Sequence, residues 1–278
     1  MCCAARLGAS AGLGGPTPTG GIRSTEKIAD RAILIQVDVS PINRDTVDSY
    51  SALDDNFHEK WGSEGDFGRR LLLNPTIFRL LGDIQGKRIL DAGCGNGYLS
   101  RLMVERGAQV VGVEPATGPF GYAQRMEERQ GLGITYFQRD LSRLGDLDGP
   151  FDAVVANMVF LDIRDWRSAL ANCIETLRRD GLLVYSLTHP VWVPGHDREW
   201  TEKGHVEISE YLNEYELRLD VSVNFHRPLS TYVNETIRLG CSIAEMAEPR
   251  LPPEQVEHPD QVVFTRLPNF VLIAARRQ

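Results

Sequence analysis

The sequence predicts an α/β fold of the doubly wound kind: a mostly parallel seven-stranded sheet, helices on both faces, and an insertion after the fifth strand. Three observations lead there. Short, nearly continuous apolar runs (residues 88–90, AQVVGVE, FDAVVAN and GLLVYSL) alternate with stretches whose apolar residues recur at helical spacing. A glycine-rich turn, AGCGNG, separates the first run from a helix. The acids Asp91, Glu114 and Asp140 follow the first two of these runs and the segment ITYFQ, at the sheet edge where such folds bind their ligands.

The elements follow in order. The first 30 residues are rich in Gly, Ala, Ser and Thr, with no acid before Glu26. Such a segment buries too little apolar surface to offset its ordering entropy. Residues 1–44 are therefore expected to be a tail rather than an organellar leader, despite Arg6 and Arg23. From Asp45, DTVDSYSALDDNFHEKW and RRLLLNPTIFRLLG predict helices over 45–82 that form a lid. The first strand ends at Asp91, and its helix YLSRLMVERG stops at Gly107. The second strand ends at Glu114 and is followed by the helix GYAQRMEERQG, then ITYFQ as the third. FDAVVAN is the fourth strand, 165–177 a helix, and GLLVYSL the fifth strand. Residues 188–228 are too long and too aromatic for a plain connection, so they predict a structured insertion over the substrate. Helical spacing returns at STYVNETIRLG, with Ser230 as its expected N-cap and Gly240 as its stop. CSIAEMAE and NFVLIAA complete the seven strands.

Composition narrows the function. A net charge of −8 with no dense Lys/Arg run opposes a phosphate backbone, so no nucleic-acid partner is expected. No run approaches the roughly 18 apolar residues of a membrane span, and a mean hydropathy of −0.24 agrees, so no membrane partner is expected either. The five cysteines are odd in number and include no Cys-x-x-Cys pair, which fits a reducing, cytoplasmic setting and no metal site. Monomer and homodimer both remain open.

The residues that carry the chemistry lie in ILDAGCGNG. Gly93, Gly95 and Gly97 allow the backbone to pass close to a ligand, and the following helix offers unpaired N–H groups. The dinucleotide fingerprint needs Gly or Ala where this chain has Tyr98, which disfavours NAD.

The string LDAGCGNG resembles motif I of the class I S-adenosylmethionine-dependent methyltransferases, small-molecule type, and the likeness in motif order runs from about Tyr50 to the C-terminus. The resemblance implies a Rossmann-like methyltransferase fold with S-adenosylmethionine as cofactor and S-adenosylhomocysteine as product. It implies that Gly93, Gly95 and Gly97 surround the methionine end, with Asp91 organising the loop and Cys94 a small packing residue. Glu114 would grip the ribose hydroxyls beside Pro115. Asp140 would accept from the adenine amino group, with Leu141 flanking the ring; as a helix N-cap it has an equally simple role. Asn157 and Met158 would line the transfer channel, in a sequence unlike the Asn-Pro-Pro-Tyr type used for exocyclic amines.

The resemblance thus implies methyl transfer to a small molecule, with a hydroxyl of a partly apolar metabolite or secondary metabolite favoured. Alternatives are an N- or C-methyl acceptor, or non-methylating chemistry such as cyclisation. A hydroxyl acceptor must lose a proton, and His189 and His226, both beside the insertion, are the candidate bases. Each has a packing role as its plain alternative. Tyr50 and Trp61 of the lid and Trp192, Tyr211 and Arg227 of the insertion are the candidate acceptor contacts. His58, His196, His205 and His258 fall in polar stretches and are expected to be solvated.

Overall fold

The computed structural model describes residues 38–219 and 222–278. Residues 1–37 of the expected tail lie outside that range. Residues 38–44 are not tail: the Ser40 N–H donates to Asp140 Oδ2 at 2.9 Å, Asn43 Nδ2 donates to both Asp140 oxygens, and Arg143 pairs with Asp38. Polar side chains with distant partners hold this stretch, and composition does not reveal them.

The segment expected to form a lid comprises α1 (Arg44–Ser51), α2 (Asp55–Glu59), a π-turn at Arg69–Leu73 and α3 (Asn74–Leu81). Asp54 restarts the chain as α2 by accepting the Phe57 N–H at 3.0 Å. Then come β1 (Arg88–Ala92), α4 (Tyr98–Glu105), β2 (Gln109–Val113), α5 (Thr117–Gln130), β3 (Thr135–Phe137), β4 (Phe151–Asn157), α6 (Trp166–Glu175) and β5 (Leu177–Thr188). The insertion holds α7 (His196–Lys203) and the hairpin β6 (Tyr215–Arg218) and β7 (Val223–His226). The chain closes with α8 (Leu229–Arg238), β8 (Cys241–Ala247) and β9 (Phe270–Arg277).

The large sheet has the order β3-β2-β1-β4-β5-β9-β8, parallel through β5, with β9 antiparallel to both its neighbours. The chain winds from β1 outward to β3, then returns to β4 on the other side of β1. That reversal opens a crevice at the carboxyl ends of β1 and β4, where β1 leads into the glycine turn.

Successive β1 residues face opposite sides, so Leu90 joins a core with Trp166, Leu170 and Tyr232 while Ile89 joins one with Ile77, Leu99 and Met103. Burial on both faces explains why these strands read as continuous apolar runs. Among the described residues no helix is long and apolar enough to cross a membrane.

Three expectations need correction. The N-cap of α8 is Pro228, not Ser230: the fixed φ of proline sets the extended lead-in, and Ser230 already lies within the first turn. His58 and His196 are buried, not solvated; His58 packs edge-on against Phe57, and His196 Nδ1 accepts the Val193 N–H at 3.3 Å. Trp192 is not an open wall. It packs 5.3 Å, centroid to centroid, from Phe264 in a satellite core with Leu72, Leu251 and Val263.

Candidate active site

The turn after β1 is held to β2 by two backbone bonds, Gly93 and Cys94 N–H to the Val113 carbonyl at 2.8 and 2.9 Å. Gly93 has φ +71°, and a Cβ there would stand 2.7 Å from Val159 Cγ2, so only glycine fits. At Gly95, φ +55°, a Cβ would meet nothing within 4 Å, so the bend presents its backbone to open space. Below it Asp91 is buried and accepts from Ser100 Oγ at 2.5 Å. Burial pushes the Asp91 carboxyl up to about 6, against the Ser100 hydrogen bonds and the Arg101 charge. The Cys94 thiol is buried, and burial raises its pKa well above the usual range, as suits a packing residue.

Glu114 follows β2 directly. Its Oε2 accepts the Gly95 N–H at 3.0 Å and its Oε1 the Ala116 N–H at 2.9 Å, leaving a lone pair on each oxygen for a further donor. Burial pushes this carboxyl up to about 7, opposed by those two backbone donors and assisted by the charges of Asp91 and Asp162. The neighbouring Pro115 carbonyl accepts from Gln138 Nε2 at 3.2 Å.

Asp140 takes the plain role named for it. It caps the turn Leu141–Arg143 through the Ser142 N–H at 2.8 Å and also receives Ser142 Oγ, Asn43 and Ser40. Leu141 is buried in the main core.

At the end of β4 a polar chain runs through Asn157. Its Nδ2 donates to Tyr98 Oη at 2.8 Å, and Tyr98 donates to Asn74 Oδ1 at 3.2 Å. Ser186 Oγ donates to Asn157 Oδ1 at 2.7 Å and receives the Met158 N–H at 2.9 Å, which accompanies the left-handed backbone of Met158, φ +62°. Sequence reasoning sees Tyr98 only as the residue that breaks the dinucleotide fingerprint.

The lid and the insertion meet over this edge. Tyr50 Oη donates to Asp162 Oδ2 at 2.6 Å, and Asn224 of β7 donates to Asp162 Oδ1. Asp162 lies in the turn after β4, its N–H bonded to the Val159 carbonyl at 2.9 Å. Arg69 stacks on Trp61 at 4.1 Å, pairs with Asp66 at 2.6 Å, and its charge reaches Tyr50, Tyr98 and Asp162. Trp61 in turn meets Tyr98 edge-on at 6.4 Å. Burial, which removes water from the carboxylate, pushes Asp162 up to about 7, against hydrogen bonds from Tyr50 and Asn224 and the charges of Arg69 and Arg227. Tyr50 and Trp61 are thus brought together with Asp162, Asn224 and Arg69, which sequence reasoning missed. An acid a few residues past the end of β4 was the available signal.

The remaining expected residues stand differently. His189 spends both ring nitrogens on its own surroundings: Nδ1 accepts the Val191 N–H at 3.2 Å and Nε2 donates to Glu248 at 3.0 Å. It therefore holds the turn after β5 against the end of β8, and burial lowers its pKa despite Glu248. His226 stacks on Tyr215 at 4.4 Å and donates Nε2–H to the Tyr211 carbonyl at 3.0 Å. Tyr211 thereby pins the hairpin, and its Oη also receives the Leu229 N–H at 3.4 Å. Arg227 is no open anion site. Its guanidinium is buried and donates to the Phe160 and Ile163 carbonyls and to Tyr232 Oη at 3.0–3.1 Å, bracing the turn that carries Asp162.

Sheet order, glycine bend and the carboxylate beyond β2 define a doubly wound domain with a ligand crevice at its strand ends. Residues 89–181 match a family model described as a methyltransferase domain, and the fold matches solved S-adenosylmethionine-dependent methyltransferases. It is 26% identical to an S-adenosylmethionine-dependent methyltransferase of Mesorhizobium loti whose crystal structure it matches with a TM-score of 0.65, over 78% of this chain and all of that one. An uncharacterised protein of Haemophilus influenzae is 25% identical over 74% of this chain and 87% of its own. A ubiquinone biosynthesis O-methyltransferase of Hahella chejuensis is 26% identical over 53% of this chain, and the match spans 64% of that protein.

Proposed function

We propose that this protein transfers the methyl group of S-adenosylmethionine to a hydroxyl of a partly apolar small molecule and releases S-adenosylhomocysteine. The observation that carries the reading is the bend at Gly95, open on its outer side and anchored to Glu114, whose two oxygens each retain an acceptor position. That pair suits the adjacent hydroxyls of a ribose. Gly93, Cys94, Gly95 and Gly97 would bound the methionine end, and Asp91 would hold the bend through Ser100. Pro115, Asp140 and Leu141 lie where the base would be gripped, so the strap of residues 38–43 on Asp140 would have to share that carboxylate. Asn157 and Met158 would border the transfer path. His226 belongs to the hairpin that roofs the acceptor space, and Tyr50 and Trp61 face it from the lid.

When bound, the sulfonium supplies a strong leaving group, so the task left to the chain is to position the acceptor and exclude water. The hydroxyl reading draws on the O-methyltransferase relative, and a free small molecule fits the net charge of −8. Calorimetry with S-adenosylhomocysteine tests the cofactor half. Glu114→Ala should weaken binding by about tenfold to a hundredfold, the worth of one or two charge-assisted hydrogen bonds; unchanged affinity would overturn the assignment. Incubation with methyl-labelled cofactor and a metabolite extract tests the other half, with label expected in a small, partly apolar product.

A further inference from the structure

Building on that reading, we propose that Asp162 and Tyr50 form the proton acceptor for the acceptor hydroxyl. Asp162 comes from the turn after β4, Tyr50 from lid helix α1 and Asn224 from β7 of the insertion, so three separate parts of the chain converge on one carboxylate. The convergence stands beside the cofactor crevice: Asp162 follows the strand that ends in Asn157, and its charge is felt at Glu114. Tyr50, Arg69, Asn157, Met158, Asp162 and Asn224 are all half-buried.

The oxygens of Asp162 each accept one hydrogen bond, so the carboxylate is oriented and its proton-accepting lone pairs are not exhausted. Asn224 donates through an amide that does not titrate, which leaves the Tyr50 hydroxyl as the single movable proton on the carboxylate. In the transfer, the acceptor oxygen forms its bond to the methyl carbon while the carbon–sulfur bond breaks and its electron pair stays on sulfur. The acceptor proton passes to Tyr50 Oη as the phenolic proton passes to Asp162 Oδ2. Sulfonium and carboxylate become thioether and carboxylic acid, so charge and protons balance, and the proton leaves to solvent afterwards.

The groups facing Asp162 suit a base that works near neutrality. Arg69 from the lid and Arg227 from the insertion favour its anion, while Glu114 and crowding by the protein oppose it; Tyr232 of α8 is within range of its charge. The phenol of Tyr50 is held neutral, its pKa raised by burial and by Asp162, as a relay requires. His189, with both nitrogens engaged elsewhere, has no comparable freedom.

The test uses 4-nitrocatechol, whose phenolate absorbs at longer wavelength than the phenol, added to the full chain saturated with S-adenosylhomocysteine at a pH where the free probe is protonated. The wild type should bind it as phenolate. Asp162→Asn and Tyr50→Phe, which preserve shape, should each lose at least tenfold of that phenolate signal while binding S-adenosylhomocysteine with wild-type affinity. Persistence of the phenolate in either variant, or no phenolate in a wild type that binds S-adenosylhomocysteine, overturns the pair alone. Failure of the wild type to bind S-adenosylhomocysteine overturns the cofactor reading and this inference together.

Discussion

Glu114 holds a carboxyl where water is scarce, and its only compensation is two backbone N–H groups. Its ordinary value of 4.5 rises to about 7 in the fold. Between those limits the native state binds more protons than the unfolded chain, so stability is greatest below the unfolded value and declines as pH rises through about 7. Asp91, raised to about 6, adds a slope of the same sign at lower pH. The melting temperature of the ligand-free protein should therefore fall between pH 5 and 7, a window set by those two shifts and by that of Asp162, raised to about 7. Glu114→Gln should flatten the upper part of that decline in a calorimetric series.

Arg227 shows how a residue outside regular elements governs two of them. It follows the hairpin strand β7 and ties the turn after β4 through the Phe160 and Ile163 carbonyls. Arg227→Met keeps much of the stem but leaves those carbonyls without their cationic donor, which should cost about 2–4 kcal/mol in chemical denaturation. Amide exchange should quicken in β6 and β7, because the brace joins the hairpin to the body of the fold. The N-terminal helices show the limit of sequence reading at this scale. The apolar runs of β1 to β5 and the stop at Gly107 are visible as local patterns, whereas α1 and α2 are separated by a break at Asp54 that helical periodicity does not foretell.

Across the molecule, Asp91, Glu114 and Asp162 form a line of carboxyls along one sheet edge, each held above its ordinary value mainly by burial. The acceptor end thus becomes more negative as pH rises toward 8. A cationic sulfonium gains from that change and a neutral thioether does not. The ratio of the dissociation constants of S-adenosylhomocysteine and S-adenosylmethionine should therefore rise by about threefold to tenfold from pH 5.5 to 8, the size of one partly screened charge interaction. Parallel titrations with both ligands measure it, and a pH-independent ratio would argue that the sulfonium does not approach these groups.

The sequence by itself determined the winding of the sheet, the bend at Gly93 to Gly97 and the place of Glu114, because strand burial, positive φ and strand-end acids are written in adjacent residues. Tertiary structure decided the rest of the site. Tyr50 and Asp162 are 112 positions apart and Asn224 a further 62, so no local pattern could join them. It likewise decided that His189 and Arg227 serve the scaffold, since a side chain's free donors and acceptors depend on which distant groups the folded chain brings against it.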